Sequence, residues 1–216
     1  MRTLASVAVG AGIVASALGW HLVARGRDVW RTMPPVFAVL GVLAVWFAPS
    51  LDAPTAGSDH AIGASTELVL GLAVGGAFFI ATRVFVAIAV RSATFARHVV
   101  AAYGRTDSVS PTIALVLSVF VTAIGEELFW RGLVYRVGID ALASTGVAGV
   151  VCWMAYVGAN APSRLLPIVA AAVVGGALWT ALAWWTGGVL APIASHMLWT
   201  GLMLGFPPGP PRAEVT

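Results

Sequence analysis

Glu126 and Glu127 stand side by side in a stretch that carries no charge from Pro111 to Gly125, and Arg131 follows four residues after the second acid. In a hydrophobic helix each such charge costs about 2.5–3.5 kcal/mol on insertion scales, so all three must face protein or water rather than lipid. Glu127 and Arg131 share a helical face with the acid on the N-terminal side, which suits an ion pair. Glu126 points about 100° away from that face and has no second cation within a turn. A buried carboxylate of this kind is the usual preparation for a general base. His196 is the other titratable group deep in an apolar segment, and Thr200 lies four residues on, so both present hydrogen-bonding groups on one face. Water held between a carboxylate and an imidazole, and hydrolysis by it, is the chemistry these side chains support. A structural ion pair locking two helices accounts equally well for Glu127 and Arg131, and a lone histidine in a packed helix is commonly a core residue. Glu126 is the residue that neither reading explains.

The elements that must position these groups follow from composition. Of the 216 residues, 59% are apolar, a further 24 are glycine and only 10% are charged, with a mean hydropathy of +0.92. A soluble domain carries about 25% charged residues and could not cover its surface with so few. The chain therefore reads as an all-α, polytopic membrane helix bundle, a single membrane domain over residues 1–216 without a large extramembrane part. Segments of spanning length run near residues 3–24, 34–50, 67–90, 111–137, 141–158, 167–186 and 188–205, which gives about seven transmembrane helices. Ser110-Pro111 is a good cap and first-turn pair for the fourth. The break at Thr186-Gly187-Gly188 makes the last two an antiparallel hairpin, and the proline-rich tail 207–216 is expected to be disordered.

Arginines set the orientation. Arg25, Arg27 and Arg31 follow the first span and Arg91, Arg97 and Arg105 the third, whereas the segment from Leu51 to Thr66 has Asp52 and Asp59 and no cation. The basic segments should be cytoplasmic, with the N-terminus outside and the C-terminus, with Arg212, inside. The first segment is read as an uncleaved helix rather than a signal peptide. Arg83, inside the third span, is expected to be a counter-ion to a carboxylate. Gly71/Gly75 and Gly201/Gly205 have the spacing that lets helices approach closely in lipid.

The dispersed arginines make no nucleic-acid surface, and the single cysteine, Cys152, excludes an internal disulfide framework and a multi-cysteine zinc site. The sequence holds no pair of histidines flanking a glutamate within one helical turn, no glycine-flanked serine elbow and no phosphate loop.

Two segments carry a specific resemblance. Glu126-Glu127-Leu128-Phe129-Trp130-Arg131-Gly132 resembles the first motif, EExxxR, of the CAAX protease and bacteriocin-processing family of intramembrane proteases. The hairpin from Gly175-Gly176 through Ser195-His196-Met197-Leu198-Trp199-Thr200 resembles its third motif, HxxxN. The similarity covers residues 111–205. It implies an α-helical endopeptidase of the bacterial inner membrane that acts on a membrane-associated peptide or protein within or beside the lipid bilayer. By the same resemblance Glu126 activates water, Glu127 and Arg131 support the site, and His196 stabilises the oxyanion, with Thr200 in place of the motif's asparagine. The family's second motif, an aromatic followed four residues later by histidine, aligns with Trp153 and Val157, so its histidine is missing. With few good ligands at hand, no metal and no other cofactor is expected, zinc being disfavoured. The alternative function is that of a catalytically silent relative that binds a membrane protein or peptide. A small transporter, with Glu126 carrying a proton, would call for internal repeats, and the sequence has none that can be discerned.

Overall fold

The computed structural model describes residues 2–47, 62–103 and 108–207. Asp52, Asp59, His60, Arg105, Arg212 and all of the tail beyond Pro207 lie outside the described residues. Every regular element among the described residues is helical: α1 Arg2–Ala24, α2 Val29–Phe47, α3 Ala64–Ala89, α4 Ala93–Tyr103, α5 Pro111–Leu142, α6 Thr145–Asn160, α7 Leu166–Thr186 and α8 Leu190–Gly205. The starts and stops follow local chemistry. Asp28 accepts from the Trp30 and Arg31 amides at 2.8 and 3.0 Å to cap α2. Ser110 accepts from the Ile113 amide ahead of Pro111, and Ser144 from that of Val147. α7 ends at Gly187, whose φ of 73° closes the tight turn into α8.

Five of these helices, α1, α2, α3, α5 and α7, are long and apolar enough to cross a membrane. α6 and α8, read from the sequence as spans like the others, have 16 residues each. At 1.5 Å per residue each is about 24 Å long, short of a hydrocarbon core of about 30 Å. Both bury polar groups on their inward faces, Tyr156 and Asn160 on α6 and Ser195 and His196 on α8, while α6 leaves Val147, Val150, Val151 and Met154 exposed. The basic segment after the third span, expected as a loop, instead contains α4: Phe95, Ala96 and Val99 fall on one face and are buried, because their spacing follows the helical period.

The bundle alternates direction. Arg2 with Asp140, Trp184 with Thr145, and Glu67 with the Ala191 amide meet at one end. At the other end Arg83 donates to the Phe206 carbonyl at 2.8 Å. The carboxylate expected to pair with Arg83 is thus a main-chain carbonyl at the end of α8, and Arg83 lies at the rim rather than deep in the bundle. Arg25, Arg27, Arg31, Arg91, Arg97 and Arg164 all lie towards this second, basic end. The outward faces are rows of aliphatic side chains such as Val7, Val42, Val69 and Ile80, each more than 60% exposed. Such a surface needs hydrocarbon around it, and the protein is a multi-pass membrane protein.

Close helix approach is decided at a few glycines. A Cβ on Gly125 would collide with the Phe37 carbonyl, and one on Gly41 would lie 3.1 Å from the Gly125 Cα, so α2 crosses α5 next to Glu126. Gly71 and Gly75 likewise lay α3 against the backbone of Ala191 and Ser195 in α8. Gly201 packs on Val119, whereas Gly205 faces open space and serves no helix contact.

Candidate functional site

α5 is the element that carries the acids, and it is not a uniform α-helix. Two π-helical stretches, Leu117–Ala123 and Leu128–Val134, flank the short α-helical turn Ile124–Glu127. Single π turns are rare and recur at functional sites. Here Glu126 and Glu127, which a regular helix sends about 100° apart, both reach the ring of His196 on α8. The Nδ1 of His196 lies 2.8 Å from Glu127 Oε1, and its Nε2 lies 4.0 Å from Glu126 Oε2. Each ring nitrogen therefore faces a different carboxylate.

Arg131 completes the arrangement from the same helix. Its Nη1 donates to Glu127 Oε1 at 3.1 Å, its Nη2 to the Gly176 carbonyl at 2.8 Å, and its Nε to Thr180 Oγ1 at 3.3 Å. The pairing of Glu127 with Arg131 expected from their spacing is present, and both are essentially sealed from solvent. Two aromatic rings flank the guanidinium, Tyr156 at 4.7 Å and Trp179 at 5.8 Å. Trp179 also stacks on the His196 ring, with centroids 3.8 Å apart, and donates to Ser195 Oγ. This fixes the plane of the imidazole from one face while Glu127 fixes it from the edge.

Glu126 is held by a partner outside the two motif segments, Tyr156 of α6. The Tyr156 hydroxyl donates to Glu126 Oε2 at 2.9 Å, and both residues are at most 5% exposed. The inward face of α6 runs Gly149, Cys152, Tyr156, Asn160, one helical period apart, so it is Tyr156 rather than its neighbour Val157 that reaches the acid. That period was readable as the signal for Tyr156. Cys152 is buried on this face and its thiol is directed at the Trp130 carbonyl, an inert packing position. Thr200 lies one turn from His196 and lines a neighbouring cavity.

That cavity, of about 520 Å³, sits towards the basic end between α1, α2, α3, α4, α5, α7 and α8. Its walls are overwhelmingly apolar, with Trp20, Phe78, Phe85, Phe95 and Trp199 prominent and Ser118, Thr122 and Thr200 as polar points. Thr122 and Thr200 are four residues from Glu126 and His196, so the cavity ends about one helical turn from the charged cluster. Among the described residues no three His, Cys, Asp or Glu side chains are arranged to hold a metal ion. Glu127 Oε1 is already engaged by Arg131 and His196 together.

α3 enters the site from outside the motif-bearing half. Thr82 accepts from Trp199 Nε1 at 3.0 Å, Phe78 stacks on Trp199, and Glu67 caps the amide of Ala191 at the start of α8. Glu67, inside the third apolar segment, is a charge whose role only the packing of α3 on α8 makes visible.

With this geometry in place, residues 108–202 match the family described as type II CAAX prenyl endopeptidase Rce1-like. This segment is similar to the Rce1-like core. It contains both motif regions, from Glu126 to Arg131 and around His196, and it is somewhat less than half of the chain. The resemblance read from those residues is therefore borne out over this segment, which is similar to the intramembrane CAAX proteases. No curated protein and no solved structure matches the chain. The Rce1-like core leaves α1 to α4 outside it, including the Gly71 and Gly75 face on which the His196 helix rests.

Proposed function

We propose that the chain is an endopeptidase of the bacterial inner membrane that hydrolyses a peptide bond of a membrane-associated peptide or protein with water activated by Glu126. The observation that carries this reading is the convergence of Glu126 and Glu127 on opposite nitrogens of one buried imidazole. Nδ1 of His196 is spent on Glu127, which leaves Nε2 as the ring nitrogen to hydrogen-bond an oxyanion next to Glu126.

In the reaction Glu126 takes a proton from water as the water oxygen bonds to the scissile carbonyl carbon, and the carbonyl electron pair moves to oxygen. His196 Nε2–H stabilises that oxygen. Glu126 then returns the proton to the amide nitrogen as the C–N bond breaks. Glu127 and Arg131 hold His196 and carry the charge balance, and Thr200 offers a hydroxyl on the cavity side. The apolar cavity suits a hydrophobic part of the substrate entering from the basic end, with the bond to be cut placed a turn deeper.

No metal enters this scheme. Glu127 Oε1 is engaged by Arg131 and His196, so a cation would have to draw on the other Glu127 oxygen, Glu126 and one imidazole nitrogen while sharing the cluster with the Arg131 guanidinium. The reading is tested with the purified full chain in proteoliposomes containing peptides with CAAX-type tails, cleavage being followed by mass spectrometry. Wild type cuts, Glu126→Gln does not, and a zinc chelator leaves the rate unchanged. Wild type that cuts nothing, yet binds the peptides, supports the silent-relative reading instead.

A further inference from the structure

We propose that Tyr156 is a positioning residue for Glu126, holding Oε2 so that Oε1 is the atom that takes the proton from water. This rests on the proteolytic reading above and adds a residue to it. The site lacks the second histidine of the family pattern, and the hydrogen bond that α6 makes to Glu126 comes from the Tyr156 phenol, its neighbour Val157 being partly buried against the core.

The phenol is not a loosely placed neighbour. A Cβ on Gly176 would lie 2.7 Å from Tyr156 Cδ1, so α7 leaves a slot of glycine size for the ring. Trp130 meets the ring edge-on with centroids 5.3 Å apart, and the Arg131 guanidinium covers it at 4.7 Å. One turn on, the Asn160 amide donates to the Tyr156 carbonyl at 2.9 Å. A ring pinned by three neighbours gives its hydroxyl one direction, and that direction is Glu126 Oε2.

The consequence for the reaction is a division of labour between the two carboxylate oxygens. Oε2 accepts from Tyr156 and faces His196 Nε2 at 4.0 Å, so it is committed within the protein. A proton taken from water then resides on Oε1 and leaves from Oε1 to the amine, and the phenol keeps its own proton throughout. A hydrogen bond that only orients a base acts on the chemical step and not on substrate binding.

The test is Tyr156→Phe, which keeps the ring in its slot and removes the hydroxyl. The expected result is a fall in kcat of about 100-fold, the cost of misplacing a reacting group by about an ångström, with KM unchanged. Tyr156→Gln, which restores a donor, should recover part of the loss, and a fold-only role would not produce that recovery. Infrared difference spectra corrected with Glu126→Gln read the Glu126 carboxyl band directly, and that band should move in Tyr156→Phe. A Tyr156→Phe protein with wild-type kcat, or with an unmoved Glu126 band, overturns the proposal. A moved band in a chain whose wild type cleaves nothing would overturn both the role of Tyr156 in turnover and the proteolytic reading, while an active wild type with an unmoved band would overturn the first alone.

Discussion

His196 Nδ1 lies 2.8 Å from Glu127 Oε1, the same oxygen that accepts from Arg131 Nη1 at 3.1 Å. One atom thus joins the cation of α5 to the imidazole of α8, and the ion pair is part of the device that orients the histidine. Arg131→Ala removes the only guanidinium on Glu127 and strands a buried charge, which costs about 3–5 kcal/mol. Glu126→Gln keeps size and polarity. Folded protein recovered from membranes should therefore fall sharply for Arg131→Ala and little for Glu126→Gln; equal yields would argue against the shared-oxygen arrangement.

Helix seating is predicted to depend on glycine identity only where backbone meets backbone. Gly125→Ala and Gly71→Ala drive a methyl group into the carbonyls of Phe37 and Ala191 and should lower stability by about 1–3 kcal/mol. Gly76→Ala meets nothing within 4 Å and should be neutral or slightly stabilising. Thermal midpoints in detergent, measured for all three, separate the two classes.

Val157→His places an imidazole where the sequence alignment alone would look for one. Because Tyr156 occupies the line from α6 to Glu126, this substitution should leave Glu126-dependent cleavage unchanged. A gain approaching the 100- to 10,000-fold typical of a general acid-base group, that is about two to four orders of magnitude, would mean that α6 can present Val157 to the site.

At the basic end, Asp28 gives a pH signature outside the bilayer. The Ser108 hydroxyl holds its carboxyl below the usual range; burial opposes this, and the Arg31 and Trp30 amides and the Arg31 charge add to the lowering. A carboxyl lowered by folding stabilises the fold above its unfolded value of about 3.9 and loses that contribution as pH falls through the folded value. Asp28→Ala should cost about 1 kcal/mol at neutral pH, the usual worth of such a cap, and the gap to wild type should close on acidification below about pH 4. Asp28→Asn, which still caps, should track wild type at neutral pH. Unfolding midpoints across this range decide it.

The sequence by itself determined the class of the protein and the chemistry of its centre. A chain with 10% charged residues leaves lipid as the only solvent for its surface, and charges stranded in apolar helices must then find one another, so Glu126, Glu127, Arg131 and His196 were legible before any fold was known. The family match to residues 108–202 spans the same residues. What only the tertiary structure decided is which atoms meet. Two π-helical stretches of α5, a distortion with no mark in residue type or spacing, flank the turn that carries both acids, and the acids meet one ring only where α8 packs on that turn. Tyr156 faces Glu126 and Val157 does not, because the rotation of α6 is set by its packing on α5 and α7 around Gly176 rather than by a linear motif. α3 was read as one hydrophobic span among others. The Gly71/Gly75 spacing marked a close approach, but its partner in α8 and the role of Glu67 are decided only in the fold, since a contact between helices remote in sequence is a property of their packing and of neither sequence alone.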